Sequence, residues 1–119
     1  MAQSSARLQK LRQRIRQAKA DALLVTSFTN VTYLTGFTGD DSYLLITLDG
    51  EVLISDLRYT TQLEEECPEL DVVARGPGEQ MLPALVEVVE QAGLEKLAIE
   101  SGSMTVGLFE ALKNKLEHV

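Results

Sequence analysis

Two β-prone runs, YLLITL (residues 43 to 48) and EVLI (51 to 54), flank the dipeptide Asp49-Gly50. An Asp-Gly pair between such runs favours a tight hairpin turn, because Gly readily takes the positive φ that this turn requires. We therefore predict an antiparallel hairpin. Any sheet that contains it must be at least partly antiparallel, so a wholly parallel sheet is excluded.

Helix and strand patterns alternate along the rest of the chain. Residues 5 to 19 place Leu8, Leu11 and Ile15 on one helical face, and a short apolar run follows as a strand. After the hairpin, Asp56 can cap a helix that Pro68 ends. The pattern then predicts a strand, a helix, a strand and a last helix, in the runs LDVVAR, MLPALVEVVEQAG, KLAIE and SMTVGLFEALKNKL.

This order predicts an α/β fold with a mixed sheet of about five to six strands. The hairpin lies at the centre of that sheet and helices pack on both of its faces. A chain of 119 residues is long enough for one domain with one core.

The net charge of −7 is unevenly distributed. Six of the 11 basic residues lie within residues 7 to 19, whereas residues 21 to 119 carry the other 5 and all 18 acidic residues. Such an acidic body repels phosphate backbones, so we do not expect a nucleic-acid partner. The basic stripe on the first helix could contact an acidic partner, but a solvated helix face lying over the acidic body is the simpler interpretation.

The single cysteine, Cys67, excludes an internal disulfide, and a cytoplasmic location is the simplest expectation. Its spacing from Leu63 and Tyr59 predicts a small core residue rather than a reactive thiol. No apolar run approaches the roughly 18 residues of a membrane span, and the N-terminus lacks a secretory signal. The Arg-rich N-terminus also resembles a mitochondrial transit peptide, although its helix has a place in the predicted fold.

The sequence predicts no self-contained catalytic centre and no metal ligand. Its one histidine, His118, comes at the end of the last helix, where a cation complements the helix dipole. No P-loop is present, and GFTG lacks the third glycine of a dinucleotide fingerprint. The carboxylates of Asp40-Asp41 and of residues 64 to 66 are adjacent in sequence and so diverge. We expect turn hydrogen bonds from the first pair and solvent exposure for the glutamates.

The stretch NVTYLTGFTG, residues 30 to 39, is predicted to be an irregular connection between two strands. Asn30 can form a turn, and Gly36 and Gly39 permit unusual backbone geometry or close approach. Tyr33 and Phe37 are four residues apart. They either pack beneath this connection or present a surface to another molecule.

Arg58 is the only basic residue between Lys19 and Arg75. It falls in the first turn of its predicted helix, where a cation is mildly unfavourable. An anionic partner should therefore lie nearby. That partner is either Asp56 or Asp40, or a carboxylate of a substrate or partner, which an arginine binds well.

Together these two segments resemble the N-terminal domain of the creatinase, prolidase and Xaa-Pro aminopeptidase family. In that family an Asn-x-x-Tyr-Leu-x-Gly-Phe segment precedes a hairpin, and a Thr/Ser-Asp-x-Arg-Tyr segment follows it. The matching residues here are Asn30, Tyr33, Leu34, Gly36 and Phe37, then Ser55, Asp56, Arg58 and Tyr59.

The resemblance implies that residues 1–119 form a single, non-catalytic N-terminal domain. A catalytic domain of the pita-bread fold is expected after residue 119. In the family that second domain carries two Asp, one His and two Glu as ligands of two metal ions, commonly manganese. The metal pair activates a water molecule that attacks the peptide bond before proline, so proline-containing peptides are the expected substrates.

The resemblance also implies a homodimer in which this domain lends residues to the rim of an active site. Phe37 is then an apolar wall of that rim, and Tyr59 is a further rim candidate. Arg58 would either meet a substrate carboxylate or fix that edge of the domain. The stretch of residues 30 to 39 would shape the domain edge that faces the catalytic cleft, and Asn30, Tyr33, Gly36 and Asp56 are motif residues with a structural role.

Two other functions stay open from the sequence. The chain could be a stand-alone protein-interaction module with a peptidase-like fold, whose acidic body suits a basic partner. It could also be a ligand-binding module of flavodoxin type, but the predicted hairpin argues against that wholly parallel fold.

Overall fold

A computed structural model describes the backbone of residues 2–116 and the side chains of residues 6–116; His118 lies outside this range. The sheet comprises β1 (Ala22–Val25), β2 (Tyr43–Thr47), β3 (Glu51–Asp56), β4 (Asp71–Arg75) and β5 (Leu97–Ile99). The helices are α1 (Ala2–Gln17), α2 (Phe28–Thr35), α3 (Thr60–Glu66), α4 (Met81–Gln91) and α5 (Val106–Lys115), with a 3-10 turn at Leu57–Tyr59. None of the described helices has the length and apolarity needed to cross a membrane.

The predicted mixed sheet is confirmed. Its five strands run in the order β4-β3-β2-β1-β5. The β2–β3 hairpin and the β1–β2 pair are antiparallel, whereas β4 and β5 pair in parallel with β3 and β1. The Thr47 N–H donates to the Gly50 carbonyl oxygen at 2.9 Å and closes the hairpin turn. The first strand of the hairpin, β2, is therefore the central strand of the sheet.

Helices cover both faces of the sheet, as the alternation of elements predicts. Side chains along β2 point alternately to the two faces. Leu44 and Ile46 pack beneath α1, α2 and α3, and Leu45 packs on the other face beneath α4 and α5. The buried helical residues of the first face are Leu8, Ile15, Val31, Leu34 and Leu63, and those of the second are Ala84, Leu85, Val89 and Leu112.

The prediction of an irregular connection at residues 30–39 is wrong for its first half. Phe28–Thr35 is a helix, α2, whose Ser27 side chain accepts a bond from the Asn30 N–H at 3.4 Å. Gly36 ends α2 with a φ of 82°, a left-handed conformation that favours glycine. The local signal was present, because a serine cap and a glycine stop lie one short helix apart.

A buried arginine attaches α1 to the hairpin. The Arg12 side chain is only 8% exposed and forms an ion pair with Glu51. Its Nε–H also donates to the Thr47 carbonyl oxygen at 2.9 Å. Burying this charge is tolerable because both a carboxylate and a carbonyl oxygen face it.

Cys67 is a core residue, as its spacing predicts. It is buried among the residues of the first face, and its Sγ donates to the Thr35 carbonyl oxygen at 3.3 Å. Burial, and to a smaller extent the neighbouring Glu66 carboxylate, raises the pKa of the thiol. A raised pKa lowers the fraction of reactive thiolate at neutral pH.

Candidate rim site

The candidate site is the segment between α2 and β2, residues 36–42, which we call the rim loop. It lies against the 3-10 turn and the start of α3. Three side chains outside the loop hold it: Glu66, Tyr59 and Arg75. The two motif segments of the sequence therefore meet in space around this loop.

Phe37 supports the rim loop from beneath. Its side chain is completely buried, and its ring packs edge-on against Tyr59 with the centroids 5.6 Å apart. The expectation that Phe37 presents an apolar wall does not fit this burial, because the ring has no exposed surface in the domain. The sequence left open whether Phe37 packs beneath the loop or presents a surface, and in the domain it packs beneath the loop.

Gly39 is required where the rim loop crosses the Phe37 ring. A Cβ at this position would lie 2.8 Å from Phe37 Cε2 and even closer to Cζ. Ordinary carbon–carbon contacts are about 3.5–4.0 Å. The loop can therefore follow this path only if residue 39 has no side chain.

Glu66 of α3 fixes the rim loop through Thr38. One carboxylate oxygen accepts from the Thr38 backbone N–H at 2.9 Å, and the Thr38 hydroxyl donates to the other at 3.0 Å. The Thr38 N–H bond is the main reason that the pKa of Glu66 lies below its usual value, with smaller contributions from the Thr38 hydroxyl and Gln62. Glu66 was expected to be a solvated surface residue, but it is partly buried and bonded.

Arg58 and Asp40, which are exposed, form the outer part of the candidate site with the half-buried Tyr59. The Tyr59 hydroxyl donates to Asp40, and Arg58 Nη2 donates to the Tyr59 oxygen at 3.3 Å. The Arg58 guanidinium also lies 3.6 Å from Asp40 Oδ1 and 3.9 Å from Asp41 Oδ2. Its side chain is 59% exposed, so the guanidinium remains accessible from solvent.

Asp56 starts the helical segment that carries Arg58, as the sequence predicts. One of its carboxylate oxygens accepts from the Arg58 backbone N–H at 2.9 Å. The structure therefore gives Arg58 the anionic surroundings that its position requires. They come from within the domain, through Asp40, Asp41 and the capping carboxylate.

Arg75 is a residue of this site that the sequence analysis missed. Its side chain is only 6% exposed, and Nη2 donates to Asp41 Oδ2 at 2.9 Å and to the Asp41 carbonyl oxygen at 3.1 Å. Asp41 adopts a φ of 55°, so this arginine holds the loop in an unusual conformation. The interpretation of Asp40 and Asp41 as turn-forming side chains is wrong, because both carboxylates bind partners distant in sequence.

The other motif residues lie away from the Arg58 cluster. Asn30 Nδ2 donates to Glu100 at 2.6 Å, and the same carboxylate accepts from the Thr26 and Ser27 N–H groups. Glu100 follows β5 and fixes the start of α2, which no sequence signal indicated. Tyr33 lies on the exposed side of α2, with the Arg7 guanidinium 3.9 Å from its ring centroid.

The chemical groups at the surface of the candidate site are few in kind. The accessible groups are a guanidinium, a phenol and carboxylates, all engaged with one another at the surface. Among the described residues, no group of three or more His, Cys, Asp or Glu side chains could hold a metal ion.

Comparison with known proteins decides the family. The model of the creatinase/prolidase N-terminal domain matches residues 7–119. The chain belongs to this family. The mixed five-stranded sheet is thus that of a creatinase/prolidase N-terminal domain.

Relatives of this creatinase/prolidase domain include solved structures of similar size. The N-terminal domain of the cytoplasmic peptidase PepQ from Mycobacterium tuberculosis is 35% identical, with a TM-score of 0.83 over 92% of this chain and 84% of that one. A Xaa-Pro aminopeptidase structure from Streptococcus pyogenes is 28% identical, with a TM-score of 0.85 over 99% of this chain and 88% of that one.

A longer relative is the uncharacterized peptidase YqhT of Bacillus subtilis. It is 35% identical over 103 residues, which are 87% of this chain but 29% of the relative. The chain therefore spans less than a third of the length of that peptidase.

Proposed function

We propose that this domain is the non-catalytic N-terminal part of a Xaa-Pro peptidase. The observation that carries the proposal is the family match across residues 7–119, to a domain that is 29% of a related peptidase. A catalytic domain of the pita-bread fold would follow residue 119. The parent protein would be a cytoplasmic homodimer that cleaves proline-containing peptides.

The proposed second domain would hold two divalent metal ions, and we expect both to be manganese. When bound, they would activate a water molecule for attack on the peptide bond before proline. The residues described here would supply no ligand to these ions. Their part is to position the substrate and to support the assembly.

Arg58 and Tyr59 are the residues that we propose to face the active-site rim. The proposal is supported by the exposure of Arg58 and by the packing of the neighbouring Tyr59 ring against the buried Phe37 ring. A substrate carboxylate would compete with Asp40 and Asp41 for the guanidinium. Because these contacts are 3.6 and 3.9 Å long, an incoming carboxylate could form shorter bonds.

Peptidase assays test the main proposal. The 119-residue chain and the native protein purified from its source are each incubated with a Xaa-Pro dipeptide and a Xaa-Pro tripeptide, with and without Mn²⁺. We expect cleavage by the native protein only. Cleavage by the pure 119-residue chain would refute the proposal that this domain is non-catalytic. An inactive native protein that binds basic proteins would favour the stand-alone interaction module instead.

The rim proposal has a separate test in the full-length peptidase. Arg58→Ala is compared with Arg16→Ala, which removes an exposed arginine from α1. If Arg58 meets a substrate carboxylate, KM should rise by about tenfold for a peptide with a free carboxyl end and little for its amide. Equal changes for both peptides would exclude this contact.

A further inference from the structure

A groove on the solvent side of α1 is not explained by the proposed function. It runs between α1 and α2 and has a volume of about 370 Å³. Leu11 and Tyr33 line it with apolar surface, and Leu34, which is only 6% exposed, also borders it. The lining also includes three cations, Arg7, Lys10 and Arg14. We call this feature the basic groove.

The three cations have no anionic partner among the described side chains. They occupy positions i, i+3 and i+7 of α1, where like charges lie on one helix face and repel. Every described ion pair of a basic residue involves Arg12, Arg58 or Arg75 instead. The domain therefore places repelling charges together although its chain has 18 acidic residues.

Part of the basic groove is already ordered. Arg7 Nη1 donates to the Tyr33 carbonyl oxygen at 2.8 Å, and its guanidinium stacks on the Tyr33 ring. Tyr33 itself is 54% exposed. Exposed tyrosine and arginine side chains that are held in place contribute strongly to binding, because little side-chain entropy remains to be lost.

We propose that the basic groove binds an acidic peptide segment with an apolar side chain between its carboxylates. The cations match the carboxylates, and the surfaces of Leu11 and Tyr33 match the apolar side chain. A short acidic segment touches only the groove. An extended polyanion would also meet the acidic body, residues 21–119, which carries 18 acidic and 5 basic residues. The proposal is independent of the peptidase function.

Fluorescence anisotropy with a defined probe tests it. The probe is fluorescein-labelled Glu-Glu-Leu-Phe-Glu-Glu, and its control is the Gln-Gln-Leu-Phe-Gln-Gln peptide. The protein is the 119-residue chain, since a 35% identical N-terminal domain has been crystallised by itself. We expect saturable binding of the acidic peptide, about tenfold weaker when salt is raised from about 0.05 to 0.5 M, and no binding of the control.

Two double variants separate the groove from general electrostatics. Lys10→Gln/Arg14→Gln removes two cations that line the groove, and Arg16→Gln/Lys19→Gln removes two exposed cations that do not. The first should weaken binding by roughly tenfold and the second by less than about twofold. Circular dichroism of both variants checks that the fold is intact.

Four results would overturn the proposal. They are no binding of the acidic peptide, equal losses in the two double variants, tighter binding of a DNA duplex, and tighter binding of phosphatidylserine vesicles. A fifth result would show that a second copy of the chain, not an acidic peptide, occupies the groove. It is a dimer in analytical ultracentrifugation that the Lys10→Gln/Arg14→Gln variant loses and the Arg16→Gln/Lys19→Gln variant keeps.

Discussion

Replacing Gly39 with alanine should destabilise the domain through one contact. The added Cβ would lie 2.8 Å from Phe37 Cε2 and closer still to Cζ, so the ring or the loop must move by about 1 Å to restore ordinary separations. The ring cannot move freely, because it is fully buried and packed against Tyr59. Moving the loop instead strains the Thr38–Glu66 hydrogen bonds.

The expected loss of stability follows from these alternatives. Overpacking of this kind lowers the free energy of unfolding by about 2 kcal/mol. Alanine has less conformational entropy than glycine in the unfolded chain, which offsets about 0.5 kcal/mol of this loss. The unfolding entropy of 119 residues is about 0.25 kcal/mol/K, so a net loss of about 1.5 kcal/mol lowers Tm by about 6 °C. Urea unfolding and thermal melting followed by circular dichroism measure both quantities.

Two further variants make the Gly39 prediction specific. Gly102→Ala is the matched control, because a Cβ there meets no atom within 4 Å, and its stability should not fall. In a Phe37→Leu background the clashing ring atoms are gone, so Gly39→Ala should cost much less. A loss that is equal in the two backgrounds, or no greater than that of Gly102→Ala, would refute the reasoning.

Three other predictions concern the rim loop and the core. Because hydrogen bonds lower the pKa of Glu66, its ionised form stabilises the fold above the ordinary pKa of 4.5, and this stability is lost as pH falls through the lower folded value. In the Glu66→Gln variant the urea midpoint should therefore fall less between about pH 5 and 3 than in the parent chain. Glu65→Gln is the control. If the two variants show the same dependence of the urea midpoint on pH, the account is contradicted. The Cys67 thiol should react with a disulfide reagent at pH 8 far more slowly in the folded protein than in urea, and equal rates would contradict its burial. Arg75→Met should cost about 2 kcal/mol of unfolding free energy and should lower the urea midpoint more than Arg58→Met does, since only Arg75 is buried; the reverse order would exclude the role of Arg75 in holding the loop.

Much of the fold was predictable because it depends on local patterns. The Asp49-Gly50 turn determines the hairpin, and the spacing of apolar residues determines which helix faces are buried. The capping role of Asp56 was equally visible. α2 was missed because a helix of eight residues is short, and because the glycine that ends it was interpreted as part of an irregular connection.

The site was predictable only in part, because its key contacts join residues distant in sequence. Arg75 reaches Asp41 because β4 pairs in parallel with β3, which places Arg75 opposite Asp56. Glu100 reaches Asn30 because β5 lies beside β1. Neither strand pairing is encoded in a local pattern, so neither contact follows from sequence spacing. The burial of Phe37 likewise depends on the path of the loop above it.

The central claim is that this domain serves a larger Xaa-Pro peptidase, and the intact mass of the native protein tests it most directly. The protein is captured from its source with an antibody against the domain and measured by mass spectrometry. The account predicts a mass about three times the 13.1 kDa of this chain, which covers 29% of a related peptidase. A native mass of 13.1 kDa would contradict it and would make the stand-alone interaction module the leading explanation.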